Sequence, residues 1–507
     1  MNFSQARVRL VQAGAIFAAA VLFAGCGNNY RPVVTPVNPS GPPSEPQSFA
    51  VAVSAPSPTT AGIATVVDFA GDTIMAVAPI GPGPTAFTVD ETGSNGYTIN
   101  SDGTLTNFPV SSTLQAKNVT YTTLPSTAKP LNLFSPSAGL WAADLSGNLA
   151  DVFTGSPQTF LLSIPLAPTP VMVAGPGVRG ARYFALSQNI ASPSGVECNS
   201  SPTTQPLGEV TGIEVSSYTT DTPMPAGKCP VYAVESPDSM RVFVLNRGSD
   251  TVTVINAQDD TLDTCTPFTN PENGRLVTCH PTLPLSTTAV TATGITPPNG
   301  ITGMTATAGP VYAEYNAAKN LLIVADYAGN TISVIDVSLD EYGNDSATFG
   351  TTYTIPVGNN PASVTVLLDG SRAYTANQTD ETVTVVNLSS NTVEKTLPVI
   401  GHPRTVVSTQ NSTYGKVYVA SPDSNYLTII STGGTDPDII DTALLLEGNL
   451  VDVRVSTQNG SSQNNNNLSR IPGFGQPCNL PLSDFALTTS KSLTLANCKV
   501  QDKTLLQ

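Results

Sequence analysis

The sequence is poor in charge and in histidine. Only 11% of its 507 residues are charged, and it has two histidines and one tryptophan. Long solvated helices need Glu, Lys and Arg in quantity, so this composition argues against a helical protein. No Cys-x-x-Cys occurs, and two histidines supply few ligands, which makes a zinc site a poor interpretation. We expect neither a bound metal nor a cofactor.

Basic residues are also scarce. Lys and Arg number 21 against 37 Asp and Glu, which gives a net charge of −16. Nucleic-acid binding needs a basic footprint, so we expect no nucleic-acid partner. The chain also lacks a Gly-x-Ser-x-Gly nucleophile motif and a phosphate-binding glycine loop. The sequence therefore indicates no catalytic residue.

Glycine and proline, by contrast, are abundant, with 40 and 43 residues. Seven prolines each open an apolar strand, and most are 40 to 51 residues apart: Pro84, Pro130, Pro170, Pro230, Pro310, Pro361 and Pro403. Short strands recurring at this period are typical of a β-propeller. No 3.6-residue periodicity is sustained, which argues against a helical solenoid.

Between residues 231 and 431 each unit contains a hairpin of two β-branched strands. The second strand of each hairpin alternates Thr with Val or Ile: Thr251–Asn256, Thr331–Asp336, Thr382–Asn387 and Leu427–Ser431. The first strand of each is shorter: Val242–Leu245, Leu322–Ala325, Ala373–Ala376 and Val417–Ala420. Alternation of this kind predicts strands with one face more buried than the other.

These hairpins resemble the YVTN family of β-propeller repeats. Val417-Tyr418-Val419-Ala420, Asn330–Asp336 and Gly358-Asn359-Asn360-Pro361 carry the likeness, together with the turn Leu368–Arg372. It is strong over residues 231–431 and weaker before them. The resemblance implies an all-β propeller of four-stranded antiparallel blades.

The number of blades has two interpretations. Seven proline-led units favour seven blades, with eight as the alternative. An N-terminal segment, Val67–Ile74, resembles Ala325–Ile332 and adds a further hairpin. Leu450–Val455 can pair with that hairpin, and strands from both termini would then close the ring without an open edge. We expect a monomer.

The first 25 residues read as an export signal. Arg7 and Arg9 precede an apolar stretch, Val11–Gly25, which is too short for a membrane span of about 20 apolar residues. The following Leu22-Phe23-Ala24-Gly25-Cys26 resembles a bacterial lipobox, although Phe23 stands where Leu is preferred. The resemblance implies lipidation at Cys26, a membrane partner through that lipid, and a cell-envelope location, with the outer membrane favoured by Gly27.

Composition divides the chain into four parts. Residues 1–25 form the lipoprotein signal peptide, and residues 26–60 form a tether rich in Pro and Ser. The propeller is expected over residues 61–456. Residues 457–507 combine an asparagine-rich linker with a cysteine-containing tail.

Six cysteines remain once Cys26 is lipidated, an even number typical of disulfides in an exported protein. They allow fifteen pairings, and sequence proximity favours Cys198–Cys229, Cys265–Cys279 and Cys478–Cys498. The first two pairs involve the insertions that lengthen two units, residues 189–206 and 257–309. Insertions lie on the faces of a propeller, where binding sites occur.

Few residues suggest chemistry. His280 lies in the second insertion, and His402 lies at a repeat turn where other units have Asn360 or Cys229. Turn carboxylates recur at Asp326, Asp336, Asp369 and Asp423. Such side chains ordinarily cap their own turns, although a ring of them could bind Ca²⁺.

The leading interpretation of function is an envelope lipoprotein whose propeller is a binding or scaffolding platform for an envelope protein or a glycan. The alternative is an exported propeller enzyme, either a lactonase-like hydrolase or an accessory of a redox enzyme. The sequence favours a protein that is not an enzyme. Inward carboxylates at the mouth of the central channel would favour hydrolysis, whereas Thr, Ser and Val there would favour a scaffold.

Overall fold

The chain folds into antiparallel strands, seen here in a computed structural model that describes residues 49–456 except 58, 70, 137–138, 176–180, 191–205, 272 and 286–307. Apart from a 3₁₀ turn at Ala116–Asn118, the regular elements of these residues are strands. The first three are β1 (Phe49–Ala55), β2 (Ala61–Asp68) and β3 (Thr73–Pro82).

Seven blades follow in chain order. Blade 1 contains β4 (Pro84–Val89), β5 (Asn95–Asn100), β6 (Thr104–Pro109) and β7 (Thr120–Thr123). Blade 2 contains β8 (Pro130–Phe134), β9 (Leu140–Asp144), β10 (Leu149–Thr154) and β11 (Thr159–Pro165). Blade 3 contains β12 (Pro170–Ala174), β13 (Arg182–Ser187), β14 (Leu207–Glu214) and an outer strand in two pieces, β15 (Thr219–Thr220) and β16 (Met224–Lys228).

Blade 4 contains β17 (Pro230–Glu235), β18 (Arg241–Asn246) and β19 (Thr251–Asn256), and its outer strand is also divided. The first piece is β20 (Thr261–Leu262); the hairpin β21 (Phe268–Thr269) and β22 (Leu276–Val277) follows; and β23 (Thr282–Pro284) is the second piece. Blade 5 contains β24 (Pro310–Asn316), β25 (Leu321–Asp326), β26 (Thr331–Asp336) and β27 (Thr352–Pro356).

Blade 6 contains β28 (Pro361–Val366), β29 (Arg372–Asn377), β30 (Thr382–Asn387) and β31 (Thr392–Pro398). Blade 7 contains β32 (Thr405–Ser408), β33 (Lys416–Ala420), β34 (Tyr426–Ser431) and β35 (Ile439–Leu445). The last described strand is β36 (Asn449–Val455).

Both ends of the propeller chain build the eighth blade. β36 pairs antiparallel with β1, in the sheet order β3-β2-β1-β36. β36 is the inner strand, and it lies between β32 of blade 7 and β4 of blade 1. The ring therefore has eight blades, so the favoured count of seven is replaced by its alternative. β1 also begins the propeller earlier than the boundary at residue 61 that composition had indicated.

Proline opens most of the inner strands. It is the first residue of β4, β8, β12, β17, β24 and β28, and in each the pairing register shifts directly after it. Proline has no N–H to give to a ladder, so it is tolerated at a strand's first residue. Pro403 lies two residues before β32, and β36 begins with Asn449. The closing blade has no proline at this position, so the proline pattern alone predicts seven units.

A side-chain clasp joins the second and third strands of several blades. Asn377 Nδ2 donates to Thr382 Oγ1 at 3.0 Å and to Thr384 Oγ1 at 2.8 Å. Asn246 and Asn100 make the same pair of contacts with threonines of β19 and β6. Alternating threonines therefore accept the N–H bonds of a buried amide group. Blade 5 has Asp326 in place of the asparagine.

The turns divide between two faces of the ring. Face A has the turns that follow first and third strands, such as residues 236–240 and 337–351. Face B has the turns that follow second and fourth strands, such as residues 357–360 and 378–381. The propeller chain also begins and ends on face A, where Phe49 N donates to Ser456 Oγ at 2.7 Å.

The N-terminal hairpin occupies a different place from the one its sequence likeness suggested. Val67–Ile74 joins the third and fourth strands of blade 8, whereas Ala325–Ile332 joins the second and third strands of blade 5. The likeness reflects a shared turn, not an equivalent position. No helix among the described residues has the length and hydropathy of a membrane span.

Candidate functional site

The second insertion interrupts the outer strand of blade 4. The chain leaves after β20, forms the hairpin β21–β22 and returns as β23, which pairs with β19 from Thr251↔Pro284 to Thr253↔Thr282. The disulfide Cys265–Cys279 closes the base of this excursion, with the two Cα atoms 5.5 Å apart. This is the pair that sequence proximity favoured. The described part of the insertion, residues 257–285 without 272, is thus held by the disulfide and by the pairing of β23, and residues 286–307 lie outside the described residues.

Ionic contacts hold the insertion against blade 5. Arg275 Nη2 lies 2.5 Å from Asp340 Oδ2 and donates to the carbonyl of Asp345 at 2.6 Å. His280 Nδ1 lies 2.7 Å from Asp345 Oδ2, and its ring stacks on Phe349. These contacts tie the hairpin of blade 4 to the 337–351 turn of blade 5.

Asp345 is the centre of this contact. Its side chain is fully buried, and Arg241 Nη2 lies 3.3 Å both from Asp345 Oδ1 and from Asp263 Oδ1. Burial raises the pKa of the Asp345 carboxyl to about 6, although the hydrogen bond with His280 lowers it. Two carboxylates therefore share one buried guanidinium, and the charge of Arg241 is used within the protein.

Beside this cluster, on face A, blades 4 and 5 enclose a cavity of ≈ 440 Å³. Its floor includes the buried rings of Phe243 and Tyr315, whose centroids are 6.2 Å apart and nearly parallel. Its rim includes the exposed side chains of Asp238, Glu341 and Tyr342. A cavity of this volume is in the range of small-molecule sites. We call it the face A cavity.

Removal of the disulfide is expected to loosen one wall of the face A cavity. Replacing both Cys265 and Cys279 with serine opens a loop of about 15 residues, for which the chain-entropy model gives about 3 kcal/mol. We expect amide exchange in β23 and in the 337–351 turn to accelerate about a hundredfold. Amides of blade 6 in the same sample are the control. Equal protection of the amides of β23 and of the 337–351 turn in the variant and in the unaltered protein would contradict the expectation.

His402 has a structural environment on face B. Its Nδ1 lies 2.6 Å from Asp423 Oδ2, and its backbone N–H donates to Asp423 Oδ1 at 2.8 Å. Burial raises the pKa of Asp423, but the hydrogen bonds from His402 outweigh this and the net pKa is lowered. Asn359 makes the same pair of contacts with Asp380 in blade 6. His402 is therefore a variant of a repeated turn contact.

The turn carboxylates do not converge. Asp336 accepts the N–H of Ser338 and Asp369 accepts that of Ser371, each at 2.9 Å, as expected of turn caps. Asp326 is buried between two strands instead. Within the ranges that the structure describes, no three His, Cys, Asp or Glu side chains lie together as a metal site. The Ca²⁺ ring suggested by sequence is not formed by these residues.

The inner strands place charged side chains in the protein interior. Asp452 on β36 lies 2.8 Å from Arg454, and Arg404 Nη2 donates to the carbonyl of Val451 at 2.6 Å. Glu314 on β24 accepts the N–H of Val366 at 2.6 Å, and so links blades 5 and 6. Each of these carboxylates therefore has a partner, Asp452 within its own strand and Glu314 in the neighbouring blade. Sequence analysis missed the group because nothing marks single charges within apolar strands.

The remaining candidate residues divide by position. Cys229 is disulfide-bonded, but Cys26, Cys198, Cys478 and Cys498 lie outside the described residues, as do the signal peptide, residues 26–48 of the tether, and the tail. The second insertion lies beside the face A cavity but contributes none of its described lining residues, so it indicates only the neighbourhood of the site. The wall of the cavity on blade 5 had no signal in the sequence, because residues 337–351 read only as a polar turn.

Comparison with known proteins gives the fold alone. No family model and no curated protein matches the chain. Apo AztD from Citrobacter koseri has a TM-score of 0.52 at 10% identity, over 80% of this chain and 97% of that chain. The dihydro-heme d1 dehydrogenase NirN, in complex with DHE, has 0.51 at 13%, over 83% and 78%. A putative 6-phosphogluconolactonase from Bacteroides fragilis has 0.47 at 12%, over 82% and 99%.

Proposed function

We propose that this chain is a binding protein of the bacterial cell envelope that takes its ligand in the face A cavity. The observation that carries the proposal is the cavity itself, ≈ 440 Å³ between blades 4 and 5, beside an insertion fixed by a disulfide. Proteins that bind small groups generally use a preformed concave site of this size. The exported-enzyme alternative has no constellation among the described residues that favours it.

The partner would be an envelope protein or a glycan that inserts a small group into the cavity. Preorganisation supports this proposal: the walls are held by Arg275–Asp340 and His280–Asp345, so little ordering is left to occur on binding. The YVTN-like hairpins of residues 231–431 provide the rigid frame, and the site is built on the turns of that frame.

Two tyrosines of blade 5 provide a matched test. Tyr342 lines the cavity and is 47% exposed, whereas Tyr353 on the outer strand β27 is 50% exposed and lies outside it. A photo-crosslinking phenylalanine analogue at either position of the full chain, in intact cells, samples the two surfaces at equal exposure. We expect an adduct from position 342 only. Adducts of equal yield from both positions, or none from 342, would overturn the proposal.

Anchoring is the second part of the proposal. The lipobox-like Leu22–Cys26 supports lipidation at Cys26, and acyl chains contribute about 0.8 kcal/mol per buried CH₂. We expect Cys26→Ser to abolish acyl labelling and to move the protein from the membrane fraction to the soluble fraction. Cys265→Ser, which leaves the anchor intact, is the control. Continued labelling of the Cys26→Ser chain would contradict the anchor.

A further inference from the structure

The face A cavity combines two features that favour one class of ligand. Its floor is aromatic and its rim is acidic. Phe243 is 1% exposed and Tyr315 is 6% exposed, and their stacked rings close the bottom of the cavity. An aromatic face carries negative electrostatic potential and attracts a cation within about 6 Å of its centroid.

The charges around the cavity do not balance. Arg241, a lining residue, is already shared between Asp263 and Asp345, and Arg275 is paired with Asp340. Asp238 and Glu341 remain, and among the described residues neither carboxylate has a cation within salt-bridge distance. The rim therefore presents two negative charges that the surrounding chain does not neutralise.

The negative charge at the rim of the face A cavity acts on a residue of its floor. Burial raises the pKa of the Tyr315 hydroxyl, and the negative charge of Asp238 raises it further. The hydroxyl itself donates to Asn320 Oδ1 at 2.9 Å, which holds the side chain in its place in the cavity lining. The same field would stabilise a positive charge that entered the cavity from face A.

We infer that the face A cavity binds an organic cation, an alkylammonium or guanidinium group, with the charge between the Asp238 and Glu341 carboxylates and the apolar part against Phe243 and Tyr315. This inference rests on the proposed binding function and adds the chemical class of the ligand. The group can belong to a free amine or to the end of a longer envelope component. An anion would meet two like charges at the rim.

Two probes and a neutral analogue test the inference. Choline and agmatine carry the two cationic groups, and 3,3-dimethylbutanol has the shape of choline without its charge. Titration calorimetry with the full chain at low ionic strength should detect both cations and not the neutral analogue. Raising the salt shortens the Debye length from about 30 Å at 0.01 M to about 3 Å at 1 M and should weaken both. Absence of binding by both cations, or equal binding of the alcohol, overturns the inference.

Conservative variants identify the groups. Asp238 Oδ1 accepts the N–H of Met240 at 3.0 Å, so Asp238→Asn removes the charge and leaves an acceptor for the turn. We expect Asp238→Asn and Tyr342→Ala each to weaken choline roughly three- to thirtyfold. Asp102→Asn is the control, because Asp102 Oδ1 accepts the N–H of Thr104 in the same way on blade 1. Equal affinity of Asp238→Asn and Asp102→Asn would count against the site.

The inference and the proposed function fail differently. A crosslinked envelope component at position 342, without choline or agmatine binding, would reject the cation class and leave the binding function standing. Cation binding that Tyr342→Ala and Asp238→Asn leave unchanged would place the cation elsewhere on this acidic protein and reject the inference. No adduct at 342 together with no cation binding would reject both.

Discussion

Replacing Asp452 with asparagine is expected to lower the free energy of unfolding by about 3–5 kcal/mol. Asp452 is fully buried on β36, where its carboxylate accepts from Arg454 and from the N–H of Val453 at 2.9 Å. Burial lowers the pKa of Arg404 to about 10. The negative charge of Asp452 acts to raise this pKa, and the positive charge of Arg454 acts to lower it. The variant would leave two buried guanidinium groups without this carboxylate.

Urea denaturation followed by the fluorescence of Trp141 measures the effect, because this single tryptophan is fully buried in blade 2. The control is Asp436→Asn, which removes an exposed partner 3.1 Å from Lys395 and should cost less than about 1 kcal/mol. If Asp452→Asn does not fold, addition of Arg454→Met should restore folding by removing one unpaired charge. Equal stability of Asp452→Asn and Asp436→Asn would contradict the prediction.

The second prediction concerns Asp326 in blade 5, where blades 1, 4 and 6 have asparagine. The side chain is fully buried and accepts hydrogen bonds from Thr331 and Ser333 at 3.2 and 2.6 Å. Burial raises its pKa to about 7, although these two bonds lower it. The folded state therefore binds this proton more tightly than the unfolded state, whose carboxyl has its ordinary pKa near 4.

The sign of the pH dependence follows. The contribution of protonated Asp326 is fully present below about pH 4 and is lost as the pH rises through 7, a loss of about 4 kcal/mol. Asp326→Asn removes the titration and keeps partners for the amide, so it should be the more stable protein at pH 8. At pH 4 the two proteins should be nearly equal. Burial likewise raises the pKa of Glu235 to about 8, and this dependence remains in the variant.

Blade 6 provides the reciprocal control. Asn377 occupies the equivalent position and donates to two threonines, so Asn377→Asp should introduce the pH dependence that Asp326→Asn removes. Thermal melts of the three proteins at pH 4, 6 and 8 give the comparison. A wild-type protein that is no less stable at pH 8 than Asp326→Asn would contradict the assignment of the acid to a buried site.

The fold was largely predictable from local sequence patterns, because most blades repeat the same pattern of residues in their strands. A proline at the start of an inner strand and threonine alternation in the third strand both follow from hydrogen bonding. The eighth blade was harder, because its inner strand comes from the other end of the chain. Phe49–Ala55 lies between β2 and β36, and its pairing with β36 is a long-range contact that local composition does not reveal.

The sequence indicated the blade 4 side of the candidate site but not its blade 5 side. The cysteines of the insertion indicated blade 4, and the face A cavity lies beside that insertion, between blades 4 and 5. The opposite wall depends on Asp345, which lies 65 residues from its partner His280. Such a pair leaves no local pattern, because an aspartate in a polar turn is ordinary whether or not a histidine approaches it. Only the adjacency of blades 4 and 5 brings the two together.

The two ends of the described propeller chain are attachment points on a single face. Phe49 and Ser456 both lie on face A, the face that carries the face A cavity. Any chain joined to residue 49 or to residue 456 therefore starts beside that face and not beside face B.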